Sequence, residues 1–575
     1  MAINKLDGAQ TLIKCLENEG VEYIFGIPGG VTIPIFDAFV TTGTKIKFIL
    51  CRHEQAATHM ADGYARATGR PAVVLVTSGP GATNTLTGIM TAHMDSVPMI
   101  VVSGQVLATM LGKDAFQEAD IYGITMPVVK HSYLVHAPND IPRVVREAFH
   151  IATTGRPGPV LIDLPKNVSV GPFTTDLRAE MDLPGYQPRP EAVDKDAVQA
   201  IAEALSRATR PVILVGHGVI ISDACAAVKL LAEKLHAPVV TTLLGKGGFP
   251  ETHPLALGML GMHGTAYANK AVTECDLLLN IGSRFDDRIL GIPGQFCRNA
   301  VKIHIDIDPS EIGKMIVPDL HCVGDARLVT ELLLKQASRL DTADWLKRLN
   351  GYKRDYPLQY RRTDGLKVQH VIEEVYALSG GRAIAATDVG QHQMWSAQFW
   401  KVDQRHNWLS SGGAGTMGYG FPAALGAQFG RPKDLVVAFV GDGGFQMTLC
   451  ELATACVHKL PVKVFIMNNR YLGMVRQWQE MFYDDRRSGV DLEGNPDFAR
   501  LAEAYGARGL RLKRAADVRK IITRALAYND GPCVVDCHVV KEENVFPMVP
   551  AGKMLEEMIV TSPGKSREKK QPAAR

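Results

Sequence analysis

An acidic residue at the end of an apolar run is the first feature that could do chemistry. Residues 436–447 read VVAFVGDGGFQM, so a segment typical of a buried strand ends at Asp442 and two glycines. Asn469 follows the next apolar run 27 positions later, and neighbouring parallel strands end at the same edge of a sheet. One carboxylate and one amide oxygen suit Mg²⁺, completed by phosphates and water, better than zinc. A glycine turn with a capping Asp is the alternative reading, but the spacing to Asn469 favours a metal–diphosphate site.

A repeated pattern predicts the elements that position these residues. Residues 73–104 and 436–467 align without a gap, and each copy reads strand, glycine-rich loop, helix, proline, strand. Such a βαβ unit implies a parallel sheet with a right-handed crossover. Residues 210–242 show a third strand–turn–helix–strand pattern, and residues 275–288 and 301–313 add two more strand endings. The predicted fold class is therefore α/β, with three domains that are each a parallel sheet flanked by helices, the first and third alike.

The predicted domain boundaries follow from linker composition. We expect domains over residues 1–182, 192–345 and 362–550, and a C-terminal tail over residues 551–575. The proline-rich residues 182–194 and the polar residues 348–365 are the predicted linkers.

Composition excludes several classes of partner. The net charge of the 575 residues is +3 and the one basic run is residues 564–570, so nucleic-acid binding has no electrostatic support. No apolar stretch reaches the ~18 residues of a membrane span, and the charged N-terminal segment does not resemble a signal peptide. The ten cysteines are irregularly spaced, and Cys533–His538 (CVVDCH) fits a buried strand better than a metal site. These features predict a soluble, cytoplasmic enzyme without a nucleic-acid or membrane partner.

The GDG…NN pattern resembles the motif of the thiamine-diphosphate-dependent enzymes. The resemblance implies that Mg²⁺ is bound by Asp442, Asn469 and the backbone carbonyl of Tyr471, and that it holds the cofactor diphosphate. It also implies that the first domain binds the pyrimidine and the third domain the diphosphate. Because the family forms its active site between the first domain of one chain and the third of another, a homodimer is the smallest functional unit.

The first domain should supply one essential acid. Glu54 lies between the predicted strand 46–50 and a helix, where an ordinary carboxylate at a helix N-terminus is the alternative. The resemblance implies instead that Glu54 hydrogen-bonds N1′ of the aminopyrimidine and promotes loss of the thiazolium C2 proton. It assigns diphosphate contacts to Gln391 and His392. It also assigns the bend of the cofactor to Met417, which without the surrounding GTMGYG would be read as core.

Longer motifs narrow the family. FGIPGG (25–30), TSGPGATN (77–84), DAFQEAD (114–120), TGRPGPVLIDLPK (154–166), LGMLGMHGT (257–265), SRFDDR (283–288) and LGMVRQWQ (472–479) occur in this order. The set covers nearly the whole chain and resembles the catalytic subunits of acetohydroxyacid (acetolactate) synthases. The implied reaction decarboxylates pyruvate and condenses the two-carbon unit with pyruvate or 2-ketobutyrate. The products are 2-acetolactate and 2-aceto-2-hydroxybutyrate, which lead to valine, leucine and isoleucine.

The resemblance implies two cofactor sites beyond the metal. Further thiamine-diphosphate contacts are expected at Gly30, Thr77, Pro80, Asn84, Val389, Gly390, Gly415, Gly443, Gly444, Leu472 and Gly473. The central domain is expected to hold FAD in a non-redox role, although GHGVII lacks the third glycine of GxGxxG, so the pattern alone does not establish a dinucleotide site. The expected FAD contacts are Arg156, Gly216, Gly218, Thr242, Leu243, Leu260, Gly261, Met262, His263, Gly282, Ser283, Arg284, Asp286, Asp306, Ile307 and Asp325.

Two residues have chemistry suited to choosing the acceptor. The Arg288 guanidinium can bind a carboxylate in a bidentate way, and Trp478 can form an apolar wall against the extra methyl of 2-ketobutyrate. A solvated charge cluster is the alternative for Arg288, and core packing is the alternative for Trp478. Gln117, Lys130 and Met474 complete the predicted catalytic set.

Rival functions remain at this stage. Glyoxylate carboligase lacks the catalytic glutamate, so Glu54 disfavours it. A flavin-dependent pyruvate oxidase would reduce its flavin with pyruvate alone. A non-enzymatic scaffold would not need Glu54, Asp442 and Asn469. The expected partners are a second or further copy of the chain, as a homodimer or homotetramer, and a separate regulatory small subunit.

Overall fold

The computed structural model describes residues 6–188 and 193–561. These residues form two compact units, one from residues 6–188, 193 and 361–541, the other from residues 194–360 and 542–561. The predicted basic run at residues 564–570, part of the linker 182–194 and most of the tail lie outside the described residues. Residues 542–550 belong to the second unit, whereas the predicted third domain includes them, and the domain boundaries stay a prediction.

The first unit contains two six-stranded parallel sheets, of which the first is N-terminal. Its order is β2-β1-β3-β4-β6-β5. The strands are β1 Tyr23–Ile27, β2 Lys47–Leu50, β3 Ala72–Val76, β4 Met99–Gln105, β5 His131–Leu134 and β6 Pro159–Pro165. The helices are α1 Gly8–Asn18, α2 Ile33–Thr41, α3 Glu54–Thr68, α4 Pro80–Thr83, α5 Leu86–Asp95, α6 Ile121–Thr125, α7 Ile141–Thr153 and α8 Lys166–Ser169.

The second sheet belongs to the second unit, and its order is β12-β11-β10-β7-β8-β9. The strands are β7 Pro211–Val215, β8 Val239–Thr241, β9 Ala256–Met259, β10 Leu277–Ile281, β11 Val301–Asp306 and β12 Leu320–Val323. The helices are α9 Lys195–Ser206, α10 His217–Ile221, α11 Cys225–Leu235, α12 Ala266–Glu274, α13 Asp287–Leu290, α14 Ala326–Gln336 and α15 Ala343–Asp355. Helix α15 shows that the predicted linker 348–365 is wrong in its first half. Trp345 and Leu349, one turn apart, are buried and fix the helix on this unit.

The third sheet has the order β14-β13-β15-β16-β18-β17. The strands are β13 Ile384–Thr387, β14 Trp408–Ser410, β15 Val436–Gly441, β16 Lys463–Asn468, β17 Arg508–Leu512 and β18 Cys533–His538. The helices are α16 Val368–Ser379, α17 Gln391–Phe399, α18 Gly420–Gly430, α19 Asp442–Thr448, α20 Leu452–Val457, α21 Gly473–Phe482, α22 Phe498–Ala504 and α23 Val518–Ala527. The CVVDCH segment is the strand β18, as predicted.

The first and third sheets have the same strand order, which confirms the predicted α/β class and the likeness of the two halves. The offset between the repeat copies is 363 positions, the separation of Val73 and Val436. Strands β3 and β15 are completely buried, as are β4 and β16. Their apolar runs are continuous rather than alternating because helices cover both faces of a parallel sheet.

No helix within residues 6–188 and 193–561 is long and apolar enough to cross a membrane.

Candidate functional site

The carboxylate of Asp442 lies buried where β15 and β16 end. Its Oδ2 accepts a hydrogen bond from the backbone N–H of Arg470 at 2.8 Å and one from Asn495 Nδ2 at 2.7 Å. The bond to Arg470, the residue after Asn469, brings the ends of the two strands together as predicted. Burial raises the pKa of Asp442 to about 6, and the hydrogen bond from Asn495 opposes this shift.

Asn469 and Gln391 meet around Gly473. A Cβ at Gly473 would lie 2.3 Å from Gln391 Oε1 and 2.8 Å from Asn469 Nδ2, so a larger residue there would displace one of these side chains. Asn469 Oδ1 accepts from the backbone N–H of Tyr471 at 3.0 Å, and Gln391 Nε2 donates to Gln477 Oε1 at 2.8 Å. Two predicted metal or diphosphate ligands therefore share one small space, and the ligand role of the Tyr471 carbonyl stays a prediction.

His392 lies in the first turn of α17 against the end of β15. A Cβ at Gly441 would lie 2.9 Å from His392 Cε1. Burial lowers the pKa of His392 to about 3, so the imidazole is neutral at physiological pH. Its buried Nε2 has no hydrogen-bond partner among the described residues. A buried polar atom of this kind fits a ligand group, and helix N-termini favour phosphate.

Met417 lies beside two other predicted cofactor contacts. A Cβ at Gly443 would lie 3.0 Å from Leu472 Cδ2 and 3.6 Å from Met417 Cε, so these three positions are neighbours. The backbone after Met417 is held by Asp388, which accepts from Gly418 N at 3.1 Å and Gly420 N at 3.0 Å. Asp388 also accepts from Val389 N at 2.8 Å, and its Oδ1 lies where a Cβ at Gly444 would be.

Glu54 opens α3 at the carboxyl edge of the first sheet, as predicted. Asn84 Nδ2 donates to Glu54 Oε2 at 3.0 Å. A Cβ at Gly81 would lie 3.5 Å from Glu54 Oε1 and 2.7 Å from Thr77 Cγ2, so Thr77 belongs to the same group. The buried Thr77 Oγ1 has no hydrogen-bond partner among the described residues.

Gln117 joins the same edge through its backbone. Its φ is 60°, and a Cβ at Gly79 would lie 2.8 Å from its carbonyl oxygen. The loop therefore lies directly over Gly79, just before Pro80, where α4 begins. Gly30 and Gly415 are open positions at which a Cβ would meet nothing within 4 Å.

Several predicted residues of the first unit have other neighbours. Lys130 Nζ donates to the carbonyl of Thr154 at 2.7 Å, to Tyr186 Oη at 3.3 Å and to the carbonyl of Ile151, so it satisfies the C-terminal end of α7. Arg156 Nε donates to Ser96 Oγ at 2.9 Å.

Met474 and Trp478 lie one turn apart on α21 and are both half-buried. Trp478 packs edge-to-face on Phe482, with ring centroids 5.6 Å apart.

The second sheet has the strand order of a dinucleotide-binding fold, with the reversal between β7 and β10. The loops that follow these two strands touch through glycine. A Cβ at Gly216 would lie 2.1 Å from Gly282 O, and one at Gly218 would lie 2.7 Å from Gly282 Cα. Ligands of α/β folds bind at such a reversal, and the two loops that follow these strands approach each other closely there.

Other predicted FAD contacts of this unit follow the ends of neighbouring strands. Thr242 N donates to Val215 O at 3.0 Å and leads into Leu243, while the segment of Leu260 and Gly261 follows β9. Met262 N donates to the carbonyl of Arg288 at 2.8 Å, which brings two predicted segments together. Burial lowers the pKa of His263 to about 4 and raises the pKa of Asp286.

Three acidic side chains among the predicted FAD contacts accept hydrogen bonds from backbone N–H groups. Asp286 caps α13, Asp325 caps α14, and Asp306, which precedes Ile307, accepts from Asp308 N at 2.9 Å. Ser283, which precedes Arg284, accepts through its carbonyl from Asn280 Nδ2 at 2.7 Å. The Arg288 side chain is 63% exposed, and its Nε lies 3.6 Å from Asp287 Oδ2 in a solvent-exposed ion pair.

Asn495 and Asp388 are neighbours of the site that sequence reasoning missed. Asn495 lies in the polar loop EGNPDF, where no periodicity marks it, and it reaches Asp442 from 53 positions away. Asp388 lies within the TDVGQH motif, but the pattern does not show that its carboxylate binds three backbone N–H groups. The only available signal for Asp388 was an acid at the end of an apolar strand, as for Asp442.

The residues present fit Mg²⁺ and a diphosphate. Among the described residues, no three His, Cys, Asp or Glu side chains form a cluster that could hold a metal ion. A metal at Asp442 would therefore depend on one carboxylate, amide or backbone oxygens, phosphates and water, which is the ligand set of Mg²⁺.

Comparison with known proteins also indicates a thiamine-pyrophosphate enzyme. Three family models match: "Thiamine pyrophosphate enzyme, N-terminal TPP binding domain" over residues 6–124, the central domain over 198–333, and the C-terminal TPP binding domain over 388–537. The chain is 47% identical over 570 residues to the acetolactate synthase of Mycobacterium bovis, covering 97% of this chain and 92% of that one. It is 45% identical over 571 residues to the acetolactate synthase large subunit of Haemophilus influenzae, covering 98% and 99%. The corresponding protein of Cyanidium caldarium is 47% identical over 567 residues, covering 96% of each chain.

Proposed function

The chain belongs to the acetolactate synthase family of thiamine pyrophosphate enzymes, and from this premise we propose its reaction and the residues that perform it. Pyruvate loses CO₂, and the remaining two-carbon unit forms a carbon–carbon bond to the ketone of a second 2-ketoacid. With pyruvate as acceptor the product is 2-acetolactate, and with 2-ketobutyrate it is 2-aceto-2-hydroxybutyrate. This is the first common step towards valine, leucine and isoleucine.

The bound thiamine diphosphate supplies the carbanion chemistry, and the protein orients it and relays one proton. Asp442 and Asn469, with the Tyr471 carbonyl, bind Mg²⁺, and Gln391 and His392 bind the diphosphate. The neutral imidazole of His392 can donate a hydrogen bond to a phosphate oxygen without a charge of its own.

The other end of the cofactor depends on two residues. Met417 would pack against the bound cofactor, and Glu54 would hold and move the proton at N1′ of the aminopyrimidine. Asn84 holds the Glu54 carboxylate in place through Oε2, which leaves Oε1 to face the cofactor.

Acceptor choice depends on Arg288, Trp478 and Met474. The exposed Arg288 guanidinium binds the acceptor carboxylate, and the half-buried face of α21 contacts its alkyl group. Gln117 lines the path of the substrate. Lys130, whose ammonium already donates to three oxygens, acts by holding the end of α7 rather than by touching substrate.

FAD binds at the second sheet in a non-redox role. The dinucleotide-fold strand order and the contact of Gly216 with Gly282 support this assignment. The chain works as a homodimer or homotetramer and associates with a separate regulatory small subunit.

The observation that carries this proposal is the group at Asp442. A buried carboxylate, Asn469, Gln391 and the neutral His392 surround the end of one parallel pair of strands.

The decisive experiment mixes the purified protein with pyruvate and 2-ketobutyrate, with and without thiamine diphosphate and Mg²⁺. We expect both acetohydroxy acids, in amounts that depend on both additions. Pyruvate consumed without either product would overturn the proposal.

A flavin absorbance spectrum distinguishes the proposed synthase from a flavin-dependent pyruvate oxidase. Under anaerobic conditions with pyruvate alone, the flavin absorbance of a pyruvate oxidase would bleach, whereas we expect it to persist while acetolactate forms. Bleaching in step with pyruvate consumption would contradict the non-redox role.

A further inference from the structure

Helices α3 and α18 pack on each other through two equivalent glycines. A Cβ at Gly63 would lie 2.0 Å from Ala423 O, and a Cβ at Gly426 would lie 1.8 Å from Met60 O. The repeat offset of 363 positions relates Gly63 to Gly426 and Met60 to Ala423. The contact of Gly63 with Ala423 and the contact of Gly426 with Met60 are therefore the same contact with the two halves exchanged. The two halves of this unit thus pair about a local two-fold axis.

The same offset relates Glu54 to Met417. Glu54 opens α3, and Met417 lies three residues before α18 begins at Gly420. The two residues proposed to act on the cofactor's pyrimidine end and on its bend thus occupy equivalent places in the two halves.

The loop before Glu54 is held by an acid from the third sheet's half of the chain. Glu451, in the 3₁₀ turn Leu449–Glu451, accepts through Oε1 from the backbone N–H groups of Arg52 at 2.8 Å and His53 at 3.0 Å. Its Oε2 accepts from Thr454 Oγ1 at 2.6 Å. Glu451 is completely buried, so these bonds are shielded from water. We term this the Glu451 contact.

The loop before Met417 is held by an acid from the first sheet's half. Asp95, the last residue of α5, accepts from Gly412 N at 3.0 Å and from Gly413 N at 2.7 Å. Arg66 Nη2 donates to the same carboxylate at 2.7 Å. We term this the Asp95 contact. One turn earlier on α5, Thr91 Oγ1 lies 2.7 Å from Thr416 Oγ1.

The two contacts lie on corresponding elements of the two halves, at opposite ends of those elements. Shifted by 363 positions, α5 covers residues 449–458, which contain the turn of Glu451 and α20. The same element in each half thus carries a buried carboxylate that binds two consecutive backbone N–H groups of the other half. We propose that Asp95 and Glu451 are positioning residues for the reaction, Glu451 for Glu54 and Asp95 for Met417.

The inference rests on the proposed function, because it assigns a purpose to Glu54 and Met417. Each acid acts through the backbone of a loop, since its partners there are backbone N–H groups. A displacement of ~1 Å in a group that positions reactants can cost ~100-fold in rate, so loss of either contact is expected to slow proton exchange at the cofactor's C2 by about 10- to 100-fold.

Backbone hydrogen exchange tests the contacts without any use of activity. In Glu451→Ala, peptides covering residues 50–54 should lose protection while those covering 410–417 keep it. In Asp95→Asn the pattern should reverse, because the amide can replace only one of the two acceptor oxygens. Thr91→Val serves as a second variant for the Asp95 side, since it removes one neutral hydrogen bond and leaves the pair with Arg66 intact.

The functional readout is the exchange of the C2 proton of bound thiamine diphosphate for deuterium, measured on the holoenzyme by quenched NMR. Glu451→Ala should slow it by about 10- to 100-fold, and Glu451→Gln, whose amide oxygen can still accept both N–H bonds, should recover most of the rate. Asp95→Asn and Thr91→Val should slow exchange and alter the near-ultraviolet circular dichroism of the bound cofactor.

Glu147 provides the matched control. It is equally buried and accepts a backbone N–H bond from Asp182 at 2.7 Å, but away from both loops. Glu147→Ala should lower stability and leave C2 exchange and the protection of both loops unchanged.

Two results would overturn the inference. One is unchanged C2 exchange in the folded Glu451→Ala and Asp95→Asn proteins despite lost loop protection. The other is equal impairment in Glu451→Gln and Glu451→Ala. A wild-type protein that does not exchange C2 at all would instead refute the proposed function, while the hydrogen-exchange pattern would still report on the contacts.

Discussion

The first and third sheets share one strand order, yet most of the residues at their strand ends differ. With the offset of 363 positions, Asp442 corresponds to Gly79 and Asn469 to the buried Val106. Glu54 corresponds to Met417, so one half has an acid where the other half has a thioether. The scaffold is repeated and the chemistry is not. Two copies of one fold can therefore hold opposite ends of one asymmetric cofactor, each by a few side chains placed after the same strands.

The largest expected effect separates the two sheets by function. Glu54→Gln should lower turnover by about 10²- to 10⁴-fold while thiamine diphosphate and Mg²⁺ still bind, because the proton relay is lost and the metal site is untouched. Asp442→Asn should instead weaken the binding of both. The difference between the two variants is measured by a turnover assay and by calorimetry of thiamine diphosphate and Mg²⁺ binding. Equal loss of binding in the two variants would break the comparison.

Asn495 sharpens the comparison within the third sheet. It donates to Asp442 Oδ2 and accepts from Gln446 Nε2 at 2.9 Å. Loss of such an outer partner of a metal ligand typically costs about 10- to 100-fold in metal affinity, so Asn495→Ala should raise the Mg²⁺ concentration needed for half-maximal activity by that factor. Asn529→Ala, in the same half of the chain, is the control. An unchanged Mg²⁺ requirement would contradict this role.

Buried acids of the two sheets predict a pH effect on stability. Asp163, at the end region of β6, accepts from Ser103 Oγ at 2.6 Å and Gln105 Nε2 at 3.0 Å, and burial raises its pKa to about 7. The folded state thus binds this proton more tightly than the unfolded state, where the pKa is about 3.8. The associated stabilisation is present at low pH and is lost as pH rises through about 7.

Asp163→Asn should therefore gain melting temperature relative to the wild type between pH 5 and pH 8. Over this pH range, the difference in the free energy of unfolding between variant and wild type should change by on the order of a few kcal/mol. Asp388→Asn, whose wild-type pKa is about 6 through burial, should show the same trend centred about one pH unit lower. Melting curves at several pH values measure both. A difference between variant and wild type that does not vary with pH would contradict the assignment.

The smallest predicted effect tests the likeness of the two halves. Gly63→Ala and Gly426→Ala each place a methyl group about 2 Å from a carbonyl oxygen of the opposite helix. Overpacking of this kind costs ~1–3 kcal/mol, and the two costs should be similar because the glycines are counterparts. Gly351→Ala, in helix α15 where a Cβ would lie 3.8 Å from Arg354 Nη2, is the uncrowded helical control. Very unequal losses in the free energy of unfolding would show that the two helix contacts do not contribute equally to stability.

Local patterns predicted much of this from the sequence. The continuous apolar runs marked the buried strands, and the ungapped repeat predicted that two sheets would be alike. The resemblance brought Glu54 and Asp442 into one proposal. These features are local or recur at a fixed offset, so a single sequence displays them.

Contacts between residues far apart in the chain could not be predicted from the sequence. Asn495 meets Asp442 across 53 positions and Glu451 meets His53 across 398, and no periodicity records either pair. The first half of the predicted linker 348–365 was wrong because Trp345 and Leu349 bind helix α15 to a core that polarity alone does not reveal. Side chains that satisfy backbone groups, such as Asp388, carry no sequence pattern beyond their residue type.

The contact between Gly63 and Gly426 also has a consequence for synthesis on the ribosome. The two helices are separated by 363 residues, so at ~5–20 residues per second the face of α3 waits roughly 20 to 70 seconds for α18. During that interval a helix with twelve residues buried in the finished fold has no α18 to cover it. The nascent chain is thus most prone to aggregation while the second sheet is being made, and slower translation there lengthens the need for a chaperone.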